Sequence, residues 1–174
     1  MKLLFISDIH GKTTNLYKIH SIGIKEKIDY LINLGDTNIS SIRYQMDQEF
    51  SDIEIENILK SWKDKLINIK GNCDFKRLNG IIYYEYYNIN IDGYNFYLSH
   101  RAPLKKDDLK GVYIHGHNHV PYIRKHDGEG IEICVGSISF PRDENKETYM
   151  IYKNKEFIIY DFLGNIIERY KIGE

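Results

Sequence analysis

Residues 2–11 read KLLFISDIHG, and this stretch decides the fold. Residues 2–6 are an apolar-rich run without alternation, the pattern of a strand covered on both faces. The run stops at Ser7-Asp8, and Asp8 and His10 then bring side chains able to hold metals or move protons. Outward from it, residues 13–28 keep a helical period through Leu16, Ile19, His20, Gly23 and Ile24, with Gly23 as the weak point. Residues 30–34, YLINL, form a second buried strand that ends at Gly35-Asp36. Residues 51–62 are read as a helix with Ser51 as its cap, Glu54 three positions on, and Ile55, Ile58, Leu59 and Trp62 turned inward. Residues 65–70 supply a third strand, closing on Gly71-Asn72. Strand, helix, strand, helix, strand predicts a βαβαβ core and a largely parallel sheet.

The second half is rich in short strands: 81–86, 88–98 with a tight turn at Asp92-Gly93, 112–115, 120–125, 131–135, 148–152, 156–161 and 166–170. It is expected to form a mixed or antiparallel sheet stacked on the first. No linker, repeat or low-complexity tract divides the chain, so residues 1–174 are read as one domain. Residues 37–50 fit no period. They read either as a loop over the strand ends or as a helical turn with Met46 and Phe50 packed down.

A chain of 174 residues, 42% hydrophobic, suits one compact α/β unit. Its 24 basic and 25 acidic side chains, net −1, supply no basic tail that would demand a nucleic acid or an anionic membrane. No apolar run approaches the roughly 20 residues that span a bilayer. The amino terminus lacks the small-residue cleavage site of a secretory signal. Cys73 and Cys134 are too few for a disulfide scaffold, so a cytoplasmic location is expected. The 15 tyrosines are read as compositional bias. Those at 83, 84, 86, 87 and 94 serve either a face for self-association, making a homo-oligomer, or an ordinary strand surface.

The strand ends carry the chemistry. They deliver in turn Asp8 and His10, Asp36, Asn72, His100, then His117 and His119. In a parallel sheet the carboxyl ends of the strands share one edge, where ligand sites form. Strand alternation is expected to point Asp8 with His10, and His117 with His119, the same way. Burying this many polar groups together costs several kcal/mol each unless something satisfies them, and metal ions do so. Carboxylates, imidazoles and one amide without thiolate favour Mn²⁺, Fe²⁺, Zn²⁺, Co²⁺ or Ni²⁺. Seven ligands divide into two four-ligand sites if one carboxylate bridges. Such a pair activates water and holds phosphoryl oxygens.

Together the blocks Ser7-Asp8-Ile9-His10-Gly11, Leu34-Gly35-Asp36, Gly71-Asn72-Cys73-Asp74, Ser99-His100, Gly116-His117-Asn118-His119 and Gly136-Ser137 through Pro141-Arg142 resemble the calcineurin-like metallophosphoesterases. Within that family they are similar to the small bacterial and archaeal phosphodiesterases. The resemblance implies a four-layer α/β/β/α sandwich of two mixed sheets. It implies two divalent ions, Mn²⁺ foremost, with Asp8, His10, Asp36 and His119 on the first and a bridging Asp36, Asn72, His100 and His117 on the second. It further implies hydrolysis of a small phosphodiester by a metal-bridging hydroxide, with Asp36, Asn72 and His117 closest to the chemistry. Alternatives are a phosphatase for small phosphomonoesters and a protein-binding scaffold like the retromer subunit of the same fold.

The chain departs from the family at several positions. Cys73-Asp74 stands where many members have His-Glu, so Cys73 is either a proton donor or a packed thiol, and the general acid is unassigned. Arg101 replaces a usual glycine and either grips phosphate or meets solvent. Cys134-Val135 replaces Asn-Pro, and Asn118 replaces a threonine that faces away from the metals. Asp74, His115 and Arg142 are supporting or substrate-contacting candidates, as are Arg43 and Tyr44; His20 and His126 read as structural.

Overall fold

The computed structural model describes residues 1–38, 49–105, 109–127 and 129–173. Strand β1 (Lys2–Ile6) runs through the middle of a six-stranded sheet. Its residues 3–6 are all sealed from solvent because both faces are covered. Leu3 and Phe5 meet the layer between the sheets with Ile32, Met150 and Tyr152. Leu4 and Ile6 meet α1 (Thr14–Lys25) and α2 (Asp52–Ser61) through Leu16, Ile19, Ile55 and Leu59. Two-sided burial explains why the run does not alternate.

Strands β2 (Tyr30–Asn33) and β3 (Leu66–Asn68) extend the sheet in parallel beside β1, as the βαβαβ pattern predicts. Ser51 caps α2 by accepting the Glu54 N–H at 3.2 Å. Helix α1 ends at Lys25, sooner than residue 28. Gly23, the weak point of its sequence, is a packing requirement: a Cβ there would lie 2.2 Å from the Trp62 ring, so glycine lets α2's flank close on α1.

The second sheet has the order β4 (Tyr87–Ile91), β5 (Tyr94–Leu98), β6 (Val112–His115), β8 (Ile131–Val135), β7 (Pro121–Lys125). Strands β5, β6 and β8 are parallel, and the two outer pairs are antiparallel. Asp92 (φ 53°) and Gly93 (φ 87°) make the predicted hairpin turn. Pro121 starts an edge strand, where its missing N–H does least harm. The fold is therefore an α/β sandwich of two mixed sheets, as expected; α1 and α2 both pack on the first sheet, and among the described residues no helix layer covers the second, so three of the four expected layers are present.

Two further sequence expectations change. Strand formers at 81–86 make no strand, only a bridge from Tyr84 to Ile69, because their pairing with the chain after β3 is confined to Tyr84, whose N–H and C=O bond Asn68 O and Lys70 N–H. Strands β9 (Thr148–Lys153), β10 (Glu156–Asp161) and β11 (Ile166–Lys171) join the first sheet, not the second. β9 pairs antiparallel with β1, filling the edge that β2 leaves open. Of the unassigned segment 37–50, residues 39–48, with Arg43, Tyr44 and Met46, lie outside the described residues.

Candidate metal centre

The carboxyl ends of β1, β2, β3, β5 and β6 open on one edge of the sandwich, and the five loops there carry the predicted residues together. Three groups of nitrogen, oxygen or sulfur ligand atoms lie within 4.8 Å of one another: Asp8, His10 and His119; Asp36, His100 and His117; and His10, Asp36 and Cys73. The first two share no residue, and His10 and Asp36 link them. Asp36 Oδ2 stands 3.6 Å from His10 Nε2 and 3.4 Å from His100 Nε2.

The convergence has a different cause from the alternation read in the sequence. Asp8, His10, Asp36, His117 and His119 all lie beyond their strands with φ between 47° and 67°. This left-handed region is open to Asp and His at some cost, and its concentration here is characteristic of a functional site. The loops are held by bonds between them. Asp8 N–H donates to Gly35 O (2.9 Å), His10 N–H to Asp36 O (2.8 Å) and Gly116 N–H to His100 O (3.1 Å). Gly71 lies so close under Asp36 that a Cβ would come 2.1 Å from its backbone nitrogen.

The rings are preset. His100 Nδ1–H donates to Leu34 O (2.8 Å) and His119 Nδ1–H donates to Phe140 O, since a carbonyl only accepts. Each therefore turns the lone pair of Nε2 into the cup, the arrangement that orients metal-binding histidines. His119 Nε2 faces His10 Nε2 across 3.3 Å. Asp8 Oδ2 accepts the His117 N–H (2.9 Å), whereas Asp8 Oδ1 is buried and accepts no hydrogen bond, with His119 Nε2 3.2 Å away. A buried carboxylate oxygen without a donor, surrounded by imidazole nitrogens, fits a divalent cation.

Electrostatics agree. Burial pushes the Asp8 carboxyl up, but His10 and His119 outweigh it and hold it well below the usual range. Asp36 is lowered too, burial being overcome by His100 and by the Cys73 N–H, which donates to Oδ1 at 2.7 Å. His100 and His119 are raised by their carboxylates against burial; His117 is lowered by burial and by His100 and Arg101. Burial and Asp36 push the Cys73 thiol up to about 11.

Asn72 lies at the rim with Oδ1 3.1 Å from His100 Nε2. Asp74 does not face the cup. Its carboxylate accepts four backbone N–H groups, from Gly71 (2.7 Å), Asp36 (3.0 Å), Thr37 (2.7 Å) and Asn38 (3.1 Å), and so clamps the Asp36 loop to the Asn72 loop. Arg142 flanks the cup beside Phe140, and Arg101 projects beyond His100. His115 is buried outside the cup, its Nδ1 on Gly116 O and its Nε2 towards Glu132. The carbonyls of Leu34 and Phe140 were beyond sequence reasoning, because any residue supplies one.

Comparison with known proteins agrees with this geometry. Residues 1–156 match the calcineurin-like phosphoesterase superfamily domain. The chain belongs to that superfamily. Phosphodiesterase YfcE of Escherichia coli K12 is 23% identical over 163 residues, 88% of each chain. The solved structure of that E. coli phosphoesterase superposes with a TM-score of 0.86, covering 99% of this chain and 100% of the other, at 23% identity. A structure described as a novel archaeal phosphodiesterase is 22% identical, with TM-score 0.67 over 96% of this chain and 100% of that one. Zinc-bound Vps29 of Entamoeba histolytica shares the fold at 18% identity and TM-score 0.58, over 98% of each chain. Superfamily membership and the ligand triads make the chain a metal-dependent phosphoesterase. No described helix is long and apolar enough to cross a membrane.

Proposed function

We propose that this single-domain protein hydrolyses a small phosphodiester with a pair of divalent ions, Mn²⁺ in the first instance. The observation that carries the reading is Asp36, whose Oδ2 stands between His10 and His100 and so between two ligand sets. Asp8, His10, Asp36 and His119 hold one ion in this assignment; Asp36, Asn72, His100 and His117 hold the other. When bound, such a pair lowers the pKa of the attacking water and neutralises charge growing on phosphoryl oxygens. The chain's own residues supply order. Leu34 O and Phe140 O lock the rings of His100 and His119, and the Cys73 N–H fixes Asp36. Asn72, at the rim, donates one amide N–H to Cys73 Sγ at 3.2 Å, which leaves its second N–H for a phosphoryl oxygen. A thiol near 11 remains protonated and is a weak acid, so esters with good leaving groups react best. The YfcE relative and the archaeal structure, both named as phosphodiesterases, support a diester substrate. Two cysteines that are both free suit a cytoplasmic setting.

The test is the initial rate on bis-p-nitrophenyl phosphate by metal-stripped protein, with and without Mn²⁺, beside p-nitrophenyl phosphate. The expected result is a Mn²⁺-dependent rate, higher on the diester, that disappears in a folded His117→Ala variant. A preference for the monoester would replace the reading with a phosphatase; no rate on either would replace it with a binding scaffold.

A further inference from the structure

The cup bounded by His10, Asp36, His117, His119 and Phe140 encloses about 380 Å³. A larger cavity of about 830 Å³ opens from the same Asn72, passes His100 and Arg101, and runs over the outer face of the second sheet to Tyr97 and Tyr113. Asn72 lines both, so the two cavities adjoin at that residue. The larger one is of a size that holds small organic ligands, roughly 300–1,000 Å³.

Its lining changes character with distance from the cup. Next to His100 stands Arg101, exposed and without a carboxylate partner among the described residues. Lys70, on the wall, is already paired with Glu85 at 2.8 Å. Further out lies an aromatic pair. Tyr97 of β5 and Tyr113 of β6 are register partners, their rings 4.7 Å apart and 19° from parallel. Neither belongs to the core, which takes the alternate residues Phe96, Leu98, Val112 and Ile114 from the same strands. On the other side of Tyr97 the register places Asn88, a small exposed residue that leaves room beside the ring. The order from the cup is therefore cation, then a half-buried aromatic stack with an open flank.

We infer that this groove receives one ester arm of the substrate, and that the arm ends in a flat aromatic ring, as a nucleoside does, which extends the Tyr97–Tyr113 stack. The inference rests on the proposed phosphodiesterase reading and adds the class of diester. The phosphoryl group sits in the cup, Arg101 meets the anionic charge where the arm leaves it, and the ring lies on tyrosine. A phosphomonoester with no arm, or a dimethyl ester, leaves the groove empty. Stacking of a base on an aromatic side chain is sequence-tolerant and contributes about tenfold to a hundredfold in affinity.

The test is calorimetric binding of adenosine 5′-monophosphate and of methyl phosphate to the Mn²⁺-loaded protein, which needs no turnover. The parent is expected to bind the nucleotide at least about tenfold more tightly than methyl phosphate. In Tyr97→Ala/Tyr113→Ala that ratio falls to near one while methyl phosphate binding is unchanged; Tyr97→Phe/Tyr113→Phe restores it. Asn88→Trp, at an exposed position, fills the groove without touching the core and gives the same loss should the alanine pair fail to fold. A ratio near one in the parent, or a ratio that none of these variants moves, overturns the inference. Turnover of bis-p-nitrophenyl phosphate is measured alongside. A diesterase with no nucleotide preference sinks the groove alone. A nucleotide preference without turnover sinks the catalytic reading and leaves the groove as a binding site.

Discussion

Two buried clusters in this protein use the same residue types to opposite ends. In the cup, Asp8 and Asp36 are surrounded by four histidines. On the outer face of the second sheet, fully buried Glu132 is surrounded by His115, His126 and Tyr122. Glu132 is closed: Oε1 takes the Tyr122 hydroxyl at 2.6 Å and Oε2 takes His126 Nε2–H at 2.7 Å. Asp8 is open: Oδ1 is buried with no donor, and His10 and His119 aim their Nε2 atoms at each other. The Glu132 cluster needs nothing further, whereas the cup is complete only with a cation. Counting carboxylates and imidazoles does not separate a structural cluster from a ligand site; counting what each oxygen receives does.

The largest effects come from a crossed pair of variants. Glu132→Ala removes the acceptor of a saturated cluster and is expected to lower metal-free stability by about 3–5 kcal/mol, while the increment gained from Mn²⁺ survives. Asp8→Asn should do the reverse. Its metal-free stability falls by less than that of Glu132→Ala, since the amide oxygen still accepts the His117 N–H while only the attraction of His10 and His119 is lost. The stabilisation of ~2.7 kcal/mol that Mn²⁺ gives at a hundred times its Kd disappears. Urea melts with and without Mn²⁺ read both, and equal responses from the two variants would erase the distinction between open and closed.

Asp74 sits between the categories, a closed carboxylate whose donors belong to the loops that hold the open one. Asp74→Asn replaces an acceptor oxygen with a donor against backbone N–H groups. The Mn²⁺-dependent rate should fall by about 10–100-fold, the loss typical when support for a metal ligand is removed. A fall in apparent Mn²⁺ affinity, followed by titration against rate, would mark it as positioning Asp36.

The smallest effect belongs to Asp161, which closes the β10–β11 turn by accepting Leu163 N–H and Asn165 N–H, both at 2.9 Å, with Lys146 3.2 Å away. Burial pushes its carboxyl up, but Asn165, Lys146 and Leu163 outweigh it and hold it at about 2. Its folded value lies below the unfolded one, so its contribution is complete above about pH 4 and lost as pH falls towards 2. Asp161→Ala should cost about 1–2 kcal/mol at neutral pH and markedly less at pH 2, as urea melts at the two pH values would show.

Much of this was legible in the chain. The continuous burial of residues 3–6 and 31–34, the Ser51 cap and the Asp92-Gly93 turn are local statements, and local preferences decided them. The seven strand-end residues were legible as a set because glycines and strand stops mark each position. Residues 81–86 were misread because strand propensity says nothing about whether a neighbour is available. β9–β11 were assigned to the wrong sheet for the same reason: a strand's pattern is the same whichever edge it pairs with. The reason offered for convergence was also wrong, since Asp8, His10, His117 and His119 meet through left-handed loop conformations and not through alternation along a strand.

By itself, the sequence determined the parallel βαβαβ core, the Ser51 helix cap and which chemistry-bearing residues stand at the strand ends, because these follow from side-chain type and short-range periodicity. Only the tertiary structure decided that Asp8 Oδ1 is left without a donor while Glu132 has one on each oxygen, and that a tyrosine-lined groove opens beside Asn72. Saturation of a polar atom depends on groups brought from distant parts of the chain, down to the carbonyls of Leu34 and Phe140, which no side chain announces.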